Sequence, residues 1–284
     1  MLLKNTQRTL QEQFFTGKFI SPAAIRQWTL LLVWMLATVS GRAIAHDTNS
    51  VLPATIASIK PGVVAVGTMR PVKRSNAERP PVTFKGSGFV VGNGRYVVTN
   101  LHVLPESLDS DNDETLAIFS GSGGQTRGMP VKIVRKDELH DLVVLEMQGG
   151  KLPALSLAGK EFLQEGIEVA WTGFPIGMVL GLYPVTHRGI VSAVTPLVIP
   201  AHNSGQLTAE HIRRLKAPFE VYQLDGIAYP GNSGSAVYNI DSGTVIGVVN
   251  SVFVKTSKES ALSSPSGITY VIPVKYVIDL LQGI

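Results

Sequence analysis

The chain of 284 residues contains no cysteine. A core stapled by disulfides and a zinc site built on thiolates are both excluded. Charge is sparse as well, at 16% of residues against 44% hydrophobic ones, which excludes a chain held disordered by low hydrophobicity and leaves ample apolar surface for a core. The formal net charge of +4 is not spread along the chain. Lys4, Arg8, Lys18, Arg26 and Arg42 against Glu12, five bases less one acid, place all +4 within the first 45 residues. The remainder is formally neutral and lacks the basic footprint of a phosphate-backbone binder, so no nucleic-acid partner is expected. Stretches long enough for an amphipathic helix are also few.

The basic N-terminal segment contains an uncharged run, Gln27 to Gly41, of 15 residues, where a membrane span needs about 20. With Ala43-Ile44-Ala45 as small residues for cleavage, residues 1–45 read as a signal peptide or, uncleaved, a short anchor, and that is the chain's one expected tie to a membrane. Export without cysteine suits a bacterial envelope or periplasmic protein better than a disulfide scaffold.

From about Ser50 the pattern is one of short apolar or alternating runs broken by glycine and proline: Val63–Thr68, Gly88–Val91, Tyr96–Thr99, Val131–Val134, Leu142–Met147, Ile167–Thr172, Gly189–Val194, Val245–Val252 and Ile268–Ile272. Many short strands predict an all-β sandwich or barrel. Two helices are predicted, one around Thr208 to Leu215 and one over Val274 to Leu281. Arg70–Pro81, with Arg70, Lys73 and Arg74, and Glu106–Glu114 read as solvated loops, Pro196–Pro218 as a long insertion, and Gly149 to about Gly166 as a bridge between two halves. No internal repeat is legible.

Acyl transfer to water needs a hydroxyl nucleophile, an imidazole to take and return its proton, a carboxylate to hold the imidazole, and amides for the oxyanion. His102 follows a predicted strand and so stands at a loop edge. Asp141 precedes the apolar run Leu142-Val143-Val144-Leu145, where a half-buried acid requires a hydrogen-bonding partner; Asp137 is the competing carboxylate. Ser233 lies in Pro230-Gly231-Asn232-Ser233-Gly234-Ser235, whose glycines permit the amides of Gly231 and Ser233 to converge on one oxygen, with Asn232 shaping the loop. Taken alone, that loop is ordinary turn chemistry.

Together these blocks resemble the trypsin-like serine proteases, and within them the HtrA/Deg branch of bacterial envelope proteases. The resemblance rests on Gly86-Ser87-Gly88-Phe89-Val90-Val91, Val97-Val98-Thr99-Asn100-Leu101-His102, Asp141-Leu142-Val143-Val144-Leu145, Gly189-Ile190-Val191-Ser192-Ala193, Gln223-Leu224-Asp225, the Ser233 loop, Val245-Ile246-Gly247-Val248 and Gly267-Ile268-Thr269-Tyr270-Val271-Ile272-Pro273. It implies two antiparallel six-stranded β-barrels, about 51–155 and 165–284 within a domain of 46–284, with the site in the cleft between them. His102, Asp141 and Ser233 would form the triad, and Gly231, Asn232 and Ser233 the oxyanion hole. The order His, Asp, Ser excludes the α/β-hydrolase arrangement. Twelve residues follow Ile272 (284 − 272), so the PDZ module common in that branch is not expected.

In this fold the residue six before the nucleophile closes the primary specificity pocket, here Ile227 followed by Ala228. An apolar floor disfavours basic substrate side chains, so aliphatic or small apolar residues are expected before the scissile bond. Val249, Asn250 and Ser251 are expected to pair with an extended substrate backbone, which implies unfolded or flexible protein substrates. His187 and Arg188 read as loop residues, His202 and His211 as solvated members of the insertion. No cofactor is implied and no spacing supports a metal site. The resemblance leaves oligomer formation open. Two rival readings keep the domain and drop the chemistry: a latent or inactive protease-like scaffold, and a membrane-tethered adaptor.

Overall fold

Among the described residues, β-branched and aromatic side chains at alternating positions build twelve strands because they pack well on a pleated, half-buried surface. The computed structural model describes residues 51–74, 81–175, 181–197, 218–250 and 267–284. The first barrel comprises β1 (Val63–Met69), β2 (Val82–Val91), β3 (Tyr96–Asn100), β4 (Thr115–Ser120), β5 (Arg127–Asp137) and β6 (Leu142–Met147). The second comprises β7 (Glu168–Gly173), β8 (Val185–Pro196), β9 (Glu220–Asp225), β10 (Ala236–Asn239), β11 (Val245–Asn250) and β12 (Ile268–Pro273). All pairings between these strands are antiparallel, and both barrels are closed. Closure removes exposed strand edges. Around the barrels the order is β1-β2-β3-β6-β5-β4 and β7-β8-β9-β12-β11-β10, one topology used twice.

Each barrel has its own apolar interior: Val64, Val66, Val90, Val97, Ile118, Val143 and Leu145 in the first, Val169, Trp171, Tyr222, Leu224, Ile246 and Val271 in the second. A third cluster joins them, with Phe89, Val98 and Leu142 from one barrel and Tyr238, Val248 and Ile272 from the other. Helix α1 (Val51–Ile59) leads into β1, and α2 (Val274–Leu280) closes the chain. No described helix is long and apolar enough to cross a membrane.

The all-β, two-barrel expectation matches this architecture. All nine expected strands lie on observed ones, though Ser251 and Val252 fall outside the described residues. β4, β9, β10 and α1 were not expected. α2 matches the expected C-terminal helix; the expected helix around Thr208, with His202 and His211, lies outside the described residues.

Two expectations are corrected, solvation at Arg70 and Glu114 and loop placement of His187 and Arg188. The Arg70 side chain is only 7% exposed and donates to Glu114 Oε1 at 2.7 Å, and Glu114 also accepts from the Thr68 hydroxyl at 2.6 Å and the Asp109 amide at 2.9 Å. Burial alone would raise the Glu114 carboxyl; these bonds and the guanidinium charge outweigh it and hold the group below its ordinary value. His187 is a strand residue of β8, stacked on Trp171 of β7 with ring centroids 5.4 Å apart, and burial lowers its pKa. Arg188 is also in β8 and pairs with Glu168.

Candidate active site

β3 runs apolar to Thr99 and Asn100, then breaks into a short turn of 3₁₀ helix, Leu101–Val103, which lifts His102 out of the sheet. Asp141 stands at the mouth of β6 with φ +53°, a left-handed conformation that aspartate tolerates better than most side chains. Its backbone carbonyl accepts from the Leu101 amide and from Asn100 Nδ2, both at 3.1 Å, which pins the corner. The carboxylate is fully engaged: Oδ1 accepts the His102 amide at 2.9 Å, and Oδ2 accepts His102 Nδ1–H at 2.5 Å and Asn250 Nδ2 at 2.7 Å.

A proton held on Nδ1 leaves Nε2 of His102 as an acceptor. Nε2 lies 2.9 Å from Ser233 Oγ, so the serine hydroxyl donates to it across the cleft between the barrels. Asp137, the competing carboxylate, bonds instead to His140 and stands outside this path.

The loop before β10 is fixed by its own amides and by the first barrel. Gly231 has φ +97° and Gly234 +86°, and a Cβ on Gly234 would overlap the Ser87 carbonyl and the Thr99 hydroxyl. Only glycine fits at Gly234 without displacing β2. Ser87 joins the barrels three ways and its own barrel once: its amide donates to Ser233 O (2.8 Å), its hydroxyl donates to Gly231 O (2.7 Å) and accepts the Phe174 amide (2.8 Å), and within the first barrel its carbonyl accepts Thr99 Oγ1 (2.7 Å).

Of the three residues expected at the oxyanion hole, Asn232 has no backbone N–H to offer an oxyanion. Its N–H is spent on the Tyr229 carbonyl at 2.9 Å, and its side chain is fully buried with neither polar atom bonded. Gly231 N–H donates to no carbonyl among the described residues.

Ile227 and Ala228 are half-buried on the segment between β9 and this loop, and Ala228 packs on the core of the second barrel. Val249 departs from the expected substrate strand. Its amide donates to Ser235 O at 3.0 Å, its carbonyl accepts Gly234 N–H at 2.9 Å, and its side chain is buried, so its backbone is already used. Asn250 has a side-chain role the spacing did not give, as the donor from barrel two to Asp141. Ser251 lies outside the described residues.

A hydroxyl, an imidazole and a carboxylate in one line, beside a glycine-lined loop, is the arrangement that activates a serine for attack on a carbonyl. The model of the trypsin-like peptidase domain matches residues 86–248. The chain belongs to the trypsin-like peptidase family. Within that family its similarity runs to the HtrA/Deg branch. It is 28% identical over 280 residues to a probable periplasmic serine endoprotease, DegP-like, of Hahella chejuensis, covering 89% of this chain and 52% of that protein. It is 30% identical over 202 residues to the serine protease Do-like HtrA of Lactococcus lactis subsp. cremoris, covering 70% of this chain and 44% of the relative. The chain therefore spans about half the length of these curated relatives. In fold, the peptidase domain is similar to Deg5, with a TM-score of 0.56 at 22% identity over 82% of this chain and 93% of that one.

Proposed function

We propose that this chain is a serine endopeptidase in which Ser233 is the nucleophile, His102 the general base and acid, and Asp141 the group that orients His102. The observation that carries this reading is the continuous hydrogen-bond path from Asp141 through His102 to Ser233, with steps of 2.5 and 2.9 Å. Ser233 Oγ attacks the scissile carbonyl carbon as its proton passes to His102 Nε2. The charge that develops on the imidazole is met by Asp141, whose carboxylate stays ionised. The oxyanion takes hydrogen bonds from the Gly231 and Ser233 amides. His102 then gives the proton to the leaving nitrogen, the peptide C–N bond breaks, and the same groups in reverse deliver water to the acyl-enzyme.

Ile227 and Ala228 supply an apolar pocket with no carboxylate to pair a basic side chain, so the reading extends to aliphatic or small apolar residues before the cleaved bond. Substrate backbones would be extended, hence from unfolded or flexible proteins, pairing with the chain from Asn250 onward. The periplasmic names of the relatives and the basic, apolar character of residues 1–45 support export to a bacterial envelope as its place of action.

The test is reaction of the full chain with a fluorophosphonate, read by intact mass, beside Ser233→Ala, with unfolded casein as the substrate and its new termini sequenced. A single adduct absent from the variant, and termini following aliphatic residues, are expected. A folded chain that neither labels nor cleaves would transfer the reading to the protease-like scaffold.

A further inference from the structure

The corner that carries Asp141 is held to the second barrel a second time, on its other side. Asp137 ends β5 opposite Leu142, the first residue of β6, and residues 138–141 turn between them. Within that turn His140 donates twice to one carboxylate, its amide to Asp137 Oδ1 at 3.0 Å and its ring Nδ1–H to Asp137 Oδ2 at 2.6 Å. The imidazole, so oriented, enters an aromatic slot of the second barrel. It stacks on Tyr276 of α2, with centroids 3.8 Å apart and planes at 19°, and meets Phe219, just before β9, edge-on at 4.6 Å. Phe219 and Tyr276 themselves pack edge-on at 5.5 Å.

We propose that His140, oriented by Asp137 and held between Tyr276 and Phe219, is a positioning residue that registers Asp141 against His102. The inference rests on the protease reading for its catalytic consequence, though not for its structural one. Three facts carry it. His140 and Asp141 are adjacent, so a displacement of one ring moves the neighbouring carboxylate directly. The triad takes His102 and Asp141 from one barrel and Ser233 from the other, so its alignment depends on how the barrels are held together. The left-handed backbone at Asp141 is a less common conformation for a residue with a side chain, though one that aspartate tolerates, and contacts around the corner hold it there. Asn250 supplies one such contact from the second barrel, and the His140 slot supplies the other.

The test uses full-length chains carrying His140→Ala or His140→Phe, compared with the parent. Phe keeps a ring between Tyr276 and Phe219 and loses the Asp137 bonds. The direct readout is the far-downfield proton resonance of His102 Nδ1–H in its short bond to Asp141, which needs no catalysis. It is expected to broaden or move upfield in His140→Ala and to be largely retained in His140→Phe. The kinetic readout splits fluorophosphonate labelling into a binding constant and a maximal rate. In His140→Ala the maximal rate is expected to fall roughly 10- to 100-fold, as for a small misplacement of catalytic groups, with the binding constant unchanged. An unaltered resonance in folded His140→Ala overturns the proposal. Should that variant not fold, an unaltered resonance on Phe219→Ala, which opens the same slot, overturns it equally. Failure of the parent chain to label would count against the protease reading, while the resonance would still decide whether His140 positions Asp141.

Discussion

Two histidine–aspartate pairs meet at one corner of the first barrel, made of the same chemical parts and put to different ends. Asp137 and His140 are three residues apart and close on each other, both carboxylate oxygens accepting from one histidine whose ring is then covered by Tyr276 and Phe219. Asp141 reaches across 39 residues of sequence to His102, and that imidazole keeps its second nitrogen at the cleft, 2.9 Å from Ser233 Oγ. A His–Asp bond therefore does not by itself aim an imidazole at a hydroxyl. What distinguishes the two is the far side of the ring, where one imidazole meets aromatic faces and the other meets a hydroxyl delivered by the opposite barrel. Each pair is also buttressed from the second barrel, His140 by rings and Asp141 by the Asn250 amide.

The comparison breaks most sharply on replacement of each aspartate by asparagine. Asp141→Asn presents an amide to His102 Nδ1 and favours the tautomer with the proton on Nε2, which then cannot accept from Ser233. The maximal rate of fluorophosphonate labelling is expected to fall by roughly ten-thousandfold. The same rate measured on Asp137→Asn is expected to remain close to the parent, because the ring of His140 keeps its slot. Equal losses from the two substitutions would erase the distinction between the pairs.

Asn250→Ala tests the buttress on Asp141. It removes a 2.7 Å donor from a buried carboxylate, the kind of charge-assisted bond that contributes about 1.5 to 3 kcal/mol. If about that much is expressed in the transition state, labelling slows roughly 10- to 100-fold, with a loss of urea stability of similar energetic size. A rate unchanged beside a lowered stability would make Asn250 a packing residue only.

How much of this could be read beforehand follows from where each signal is local. His102, Asp141 and Ser233 stand at the ends of apolar runs or between glycines, so their positions were legible, as were nine of the strands. The short β10, the mixed β9 and β4, and the helix before β1 lack alternation strong enough to compete with turn-forming neighbours. Asn250 did carry a signal: a lone amide closing the buried run Val245 to Asn250 requires a partner, but the sequence does not say which. Ser87 gave none, because its four bonds are made to residues as distant as Ser233 and Phe174. Arg70 and Glu114 were misread for a related reason. Charges among prolines and acids look solvated until the fold brings them together across β1 and β4. The duplicated barrel topology left no readable trace, since it is a property of strand order and not of residue identity.

The smallest expected effect belongs to the Asp137–His140 pair and concerns acid. The ordinary value of the Asp137 carboxyl is 3.8; burial alone would raise it, but hydrogen bonds from the His140 ring and amide and the Leu139 amide, with attraction to the His140 ring, outweigh burial and lower it. A carboxyl whose folded value lies below its unfolded one stabilises the fold fully above the unfolded value and loses that contribution as pH falls toward the folded one. Asp137→Asn should thus lower urea stability at neutral pH by about 1 kcal/mol, the net size of a hydrogen bond in a partly buried turn. The gap between variant and parent should narrow as the medium is taken below about pH 4, where the parent carboxylate is itself being protonated. Glu114 and the other acids titrate in both chains and cancel in the difference. A gap that stayed constant through that range would mean that the turn is held by the shape of the Asp137 side chain and not by its charge, and the two pairs would then differ in electrostatics as well as in what faces their rings.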